Sequence, residues 1–226
     1  MAAPTRPTRP LRRPQLSDAV AAHLRGAVMS GRLRPGSFVR LDETAAELGV
    51  SVTPVREALL TLRGEGMVES VPNRGYVVSP LERNDVHDIF WLQGQITVEL
   101  AVRASRAATV EDLARLTALN DVLGEAVDAA DPERIADAEY EFHRELCRIG
   151  GGHKLAWFLL HAARYTPYRL YAADPAWGEL AVASHANLID AMRARDREAV
   201  VQHTRVQFDD AARRLVAHLE RVGIWE

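Results

Sequence analysis

The segment Gly49–Ser70, GVSVTPVREALLTLRGEGMVES, restricts the possible folds more than any other part of the chain. Ser51 and Thr53 open a helix there, and Pro54 is tolerated because first-turn amides have no partner within the helix. Val55, Leu59 and Leu62 share one face of that helix, which ends near Gly66. MVESV and YVVS then read as two strands joined by PNRG. Upstream, Ser17 can cap a helix whose Val20, Leu24, Ala27 and Val28 line one stripe, and Gly31 stops it. Pro35-Gly36 fits a type II turn. Asp42 can cap a second, short helix that runs through Leu48 and ends at Gly49. Three short helices and a hairpin make a winged helix-turn-helix over residues 15–80. Ala45 lets two helices approach, Gly49 permits a left-handed turn, and Val55 is the apolar anchor of the helix opened by Ser51.

Charge is divided unevenly along the chain. Residues 1–80 hold 11 arginines against 7 acidic residues, a net of +4. Residues 81–226 hold 17 basic and 24 acidic residues, a net of −7, which together give the overall −3. A basic first third on an acidic remainder predicts two domains, the first facing an anionic partner such as double-stranded DNA. Residues 1–14, with four prolines and four arginines, are expected to form a disordered basic arm.

Apolar residues make up 47% of the 226, which is ample for a packed core. No apolar run reaches the roughly 18 residues that a membrane helix needs, and the start lacks the apolar stretch of a signal peptide. Cys147 is the single cysteine, so disulfide scaffolds and cysteine zinc fingers are excluded. No membrane partner and a cytoplasmic location are expected.

From about Arg83 the pattern is helical, in six segments: 83–107, 109–129, 131–149, 153–172, 176–194 and 196–222. The fold class is therefore mainly α, with an all-helical bundle over residues 83–222. Thr109 with Asp112 suggests a capping box, and Asp131-Pro132 opens the next helix. Gly150-Gly151-Gly152 reads as a flexible helix link. It follows a helix and lacks the Lys-Ser/Thr pair of a phosphate cradle. Trp157, Phe158 and Leu160 read as core.

In a winged helix-turn-helix, the helix opened by Ser51 presents its N-terminal residues to base edges in the major groove. Ser51 and Thr53 can reach phosphates or bases, and the first-turn amides favour a phosphate. Arg56, one turn in, can grip a guanine or a phosphate. Arg74 and Gly75 at the wing tip can meet backbone or minor groove. The bland alternatives are that Ser51 and Thr53 only cap the helix and that Arg56 only pairs with a nearby glutamate.

The stretch GRLRPGSFVRLDETAAELGVSVTPVREALLTLRGEGMVESVPNRGYVV resembles the DNA-binding domain of GntR-family bacterial regulators. The family usually has arginine where this chain has Val52. Val52 cannot hydrogen-bond a base edge but can touch a thymine methyl, so an altered operator is expected at that base. ADAEYEFHRELCRIGG and SHANLIDAMRARDREAV resemble the FCD effector-binding domain of the FadR-like subfamily. The six segments are similar to its smaller, VanR-like form.

In metal-binding members an aspartate is followed four later by a histidine, then by a histidine on the fifth helix and another about 22 residues beyond. The resemblance places Glu139 at the aspartate position, His143 and His185 at matching histidines, and Gln207 at the last histidine position. Glu139 and His143 project from one helix face. Three such ligands plus water suit zinc or nickel. Gln207 is a poor ligand, and His203, one turn earlier, is its alternative. Without a metal, the same residues form a polar pocket. Gln95 stands where many members have arginine. Arg103, Arg164 and Arg169 are further basic residues that could face an effector, as could Gln95, Glu139, His143 and His185 themselves.

The resemblance implies a ligand-responsive transcription regulator, a repressor, bound as a homodimer to a palindromic operator. A small metabolite, an organic acid, is the expected effector, and the linker near Ser79-Pro80-Leu81 is the expected joint. The alternative reading is a metal-dependent hydrolase or lyase using Glu139, His143 and His185. A third is a DNA-binding protein whose helical domain only dimerises.

Overall fold

The computed structural model describes residues 16–72 and 74–225, so the basic arm expected at 1–14 lies outside the described residues. The chain divides into two compact units. One runs to Val28 and then spans Leu33–Pro80; the other comprises Met29–Arg32 and everything from Leu81.

The first unit contains α1 (Leu16–Met29), β1 (Phe38–Val39), α2 (Leu41–Leu48), α3 (Val52–Gly64), β2 (Val68–Val71) and β3 (Gly75–Val78). The expected stripe of α1 is buried, as are Val55, Leu59 and Leu62 of α3. Gly49 takes φ 64 at the end of α2, the left-handed turn that lets α3 start three residues later. Gly36 has φ 78, and the Ser37 amide donates to the Arg34 carbonyl at 3.0 Å, as the type II turn requires.

Two caps differ from expectation. Ser17 lies inside the first turn of α1, and α2 begins at Leu41 with Arg40 at its cap. Asp42 instead sits in the first turn, where its charge favours the positive end of the helix dipole. The three strands form one antiparallel sheet in the order β1-β3-β2, with Val39 opposite Tyr76 and Val68 opposite Val78. The two-residue β1 is too short to show a period in the sequence. Arg25 of α1 clamps Glu65, just past α3, through two bonds of 2.8 and 2.9 Å.

The second unit is all helical: α4 (Arg83–Ala107), α5 (Val110–Asp128), α6 (Pro132–Gly150), α7 (His153–Ala162), α8 (Tyr168–Ala172), α9 (Pro175–Ala194) and α10 (Arg197–Arg221). Thr109 and Asp112 form the expected capping box, and Asp131 caps α6 through the amides of Glu133 and Arg134. The fourth expected segment, 153–172, is broken. A 3₁₀ turn at Ala163–Tyr165 and an extended Thr166 separate α7 from α8. Pro167 explains the break: it has no amide hydrogen, and its ring pushes the preceding residue out of helical geometry.

The glycine run is a packed corner rather than a slack link. A Cβ on Gly150 would lie 2.5 Å from the Leu100 carbonyl oxygen, so glycine is what lets α6 and α4 touch. The core gathers Phe142, Leu146, Leu116, Leu188 and Met192 from α5, α6 and α9, covered by Ala101 and Ala104 of α4. Trp157, Phe158 and Leu160 are not core: each is about half exposed on α7. Among the described residues, no helix is long and apolar enough to cross a membrane.

Candidate functional site

α3 turns its apolar stripe inward and its polar residues outward. Ser51, Thr53 and Arg56 are exposed, with Val52 partly so. Ser51 occupies the N-cap with extended backbone, but its side chain makes no capping bond. Its hydroxyl is therefore not used up by the helix, and first-turn amides remain for an anion. Among the described residues, Arg56 forms no ion pair, so the internal glutamate partner weighed above is not found. Arg74 is exposed at the hairpin, where its amide closes the turn onto the Val71 carbonyl at 3.0 Å. Gly75 begins β3 opposite Val71.

The second unit brings Glu139, His143 and His185 together from α6 and α9. Their ligand atoms all lie within 4.8 Å of one another. His143 Nε2 is 3.4 Å from Glu139 Oε2, and His185 Nε2 is 3.8 Å from Glu139 Oε1. Gln207, from α10, reaches the same point: its Nε2 is 3.1 Å from His185 Nε2 and 3.5 Å from His143 Nε2. Neither the cluster nor its bonds include His203, although it is one turn away on the same helix. Phe142 stacks on His185 with centroids 3.7 Å apart and fixes that ring.

Glu139 is 1% and His185 0% exposed. Burial pushes the His185 imidazole down to about 4; attraction to Glu139 resists this and nearby His143 adds to it. His185 is thus neutral near pH 7, the form that offers a lone pair. Burial favours the protonated form of Glu139, but His185 and His143 outweigh it and hold the carboxyl below its ordinary value. Glu139 Oε1 has no hydrogen-bond partner. A buried carboxylate oxygen without a donor is costly, and a cation beside it would relieve that cost.

A cavity of about 320 Å³ opens beside the cluster. Glu139, His143 and Gln207 line it at one side. Phe90, Trp177 and Phe208 give it aromatic walls. Gln93 and Thr166 also line it, with the Thr166 hydroxyl donating to Gln93 Oε1 at 3.1 Å. Burial, with Glu139 nearby, raises the Tyr168 phenol, which stays a donor at the wall. Burial likewise pushes the Cys147 thiol up to about 11, so Cys147 lines the cavity as a thiol and not as a thiolate ligand.

Gln95 does not line the cavity; Gln93, two residues earlier, does. The signal for Gln93 was available in the sequence, since it continues the buried stripe of Val86 and Phe90 and leads to Thr97 and Leu100. A glutamine inside an apolar stripe is a buried polar group in need of a partner. Arg103, Arg164 and Arg169 are also absent from the lining; Arg103 pairs with Glu99 at 2.7 Å, and Arg169 lies 3.5 Å from Glu133. Arg144 lines the cavity but pairs with Glu141.

The family model of gntR-type bacterial regulatory proteins matches residues 16–78, and that of the FCD domain matches residues 88–220. A helix-turn-helix-type transcriptional regulator in an unstable DNA locus of Streptomyces ambofaciens is 30% identical over 197 residues, covering 84% of this chain and 82% of the relative. A probable D-xylose utilization operon transcriptional repressor of Paenarthrobacter nicotinovorans is 29% identical, with 76% of each chain covered. The solved structure of Escherichia coli McbR/YncC superposes with a TM-score of 0.64 at 24% identity, over 92% of this chain and 98% of the other, and shows the same fold. The hydrolase or lyase alternative finds no support among these relatives. With a winged helix-turn-helix joined to an all-helical FCD domain, the chain belongs to the GntR family of bacterial regulatory proteins and is a transcription regulator, not an enzyme.

Proposed function

We propose that this regulator is a repressor that binds a palindromic operator as a homodimer in the cytoplasm and is modulated by a small organic acid. Residues 15–80 bind the DNA, and residues 83–222 sense the effector and dimerise. The helical unit is assigned to the VanR-like form, with α7, the 3₁₀ turn and α8 counted as one broken segment. The observation that carries the DNA reading is the outward face of α3, where Ser51, Thr53 and Arg56 are exposed and Arg56 is free of ion pairs among the described residues. Similarity to the D-xylose operon repressor supports repression.

Arg56→Ala should lower affinity for the cognate promoter fragment by about 5–150-fold if Arg56 grips a base. Affinity for random duplex should change far less. An electrophoretic mobility or anisotropy titration at fixed salt measures both, and equal losses on the two duplexes would reduce Arg56 to a phosphate contact. Val52→Arg should change the preferred base at one operator position, read by selection from a randomised site.

The donor set of Glu139, His143 and His185, with an unpartnered buried carboxylate oxygen, fits a divalent cation such as zinc or nickel. Such an ion would supply a Lewis-acidic anchor for the effector's carboxylate. The cavity's aromatic walls would take the rest of the molecule. In chelator-stripped protein, zinc or nickel at about 100 times its Kd should raise Tm by roughly 5–10 °C. No shift with either ion would remove the metal from this reading. An effector then alters operator affinity only by as much as its own affinity differs between the bound and released states.

A further inference from the structure

The Gln207 side chain occupies the direction from which a cation would approach both histidines. Its Nε2 lies 3.1 Å from His185 Nε2 and 3.5 Å from His143 Nε2. A carboxamide nitrogen carries two hydrogens, and an imidazole nitrogen has one in-plane lone pair. That lone pair can accept a hydrogen bond or bind a metal, but not both. His185 is fully buried, so no solvent competes for its nitrogen; Gln207 is its partner there.

We propose that Gln207 is an internal competitor for the metal, holding the His185 Nε2 lone pair until a cation displaces its amide. The proposal rests on the reading that Glu139, His143 and His185 hold a divalent ion. It makes Gln207 a positioning residue that keeps loading weak and reversible.

The setting of Gln207 makes displacement a side-chain event. Thr204 on the same helix is buried, with its hydroxyl bonded to the Val200 carbonyl. Phe208 sits against Gly94, where an added Cβ would lie 3.4 Å from the phenylalanine. α10 is therefore held at this level, and Gln207 yields by rotating its own torsions. It also lines the effector cavity, which gives the displaced amide somewhere to go. Its rotation thus changes the cavity wall whenever the ion enters or leaves.

The test compares the full chain with Gln207→Ala and Gln207→Leu, each stripped with chelator and titrated with zinc against a chromophoric competitor. A parallel cobalt titration reads the visible absorption of the bound ion. Leucine fills the space of the glutamine without its hydrogen bonds, so the pair separates lost competition from an opened void. Both variants should bind zinc about fivefold more tightly than the unaltered chain, the worth of one hydrogen bond. Weaker binding by both would make Gln207 a ligand through its Oε1 and overturn the proposal, as would unchanged affinity. Absence of zinc and cobalt binding in all three proteins would overturn the metal reading itself, and this proposal with it.

Discussion

Phe142→Ala is expected to lower the unfolding free energy of the helical unit by about 3–5 kcal/mol. Phe142 is fully buried and packs in the same cluster as Leu146, Leu188 and Met192. Removing its ring takes apolar surface out of the core and leaves a cavity that these helices cannot fully close. It also removes the face on which His185 stacks, so the effect reaches the cluster as well as the core. On the proposed metal reading, zinc affinity should fall in the same variant, because a ligand free to turn must be ordered on binding. Urea unfolding followed by helical circular dichroism measures the first effect, and a zinc titration the second. Trp157→Ala is the contrast. That side chain is half exposed, and its loss should cost much less. A Phe142→Ala loss below about 1 kcal/mol would contradict the packing described.

Acid should weaken the same unit. His185 sits near 6.5 when exposed in the unfolded chain and near 4 when buried in the fold. Between those values the unfolded chain binds a proton that the folded chain refuses, so stability rises with pH across that window. Its contribution is full above about pH 6.5 and lost as pH falls toward 4. The interval corresponds to roughly 3 kcal/mol. Urea midpoints of chelator-stripped protein, taken from pH 7 down to 4.5, should show the decline. His185→Gln should remove most of it above pH 5. A flat profile across that range would mean that the imidazole is not held neutral by burial.

The two halves of the molecule were legible to different depths. In the first unit, nearly all the information is local. Pro54 in a first turn, Gly49 where φ must be positive, and apolar residues at helical spacing each specify their own few residues of backbone. The winged helix-turn-helix therefore follows from the string itself. Caps were less secure, because several residues near a helix start can compete for the same amides. Ser17 and Asp42 lost that competition to the helix boundaries that packing set.

In the helical unit, amphipathic periods located the segments, and Glu139 with His143 is visible as a pair one turn apart. The sequence alone thus determined the fold class, the two-unit organisation of the helices and strands, and the helix that carries Arg56. What it could not determine was distance between residues far apart in the chain. Whether Gln207 or His203 meets His185 depends on how α10 is rotated against α6 and α9. Tertiary packing decided this point, whereas the choice of Gln93 over Gln95 and the break at Pro167 were already legible, Gln93 because it lies on the apolar stripe of α4 and Pro167 because it has no amide hydrogen to donate. Side chains one turn apart look alike to a periodic pattern, and only the close fit of neighbouring helices selects between them.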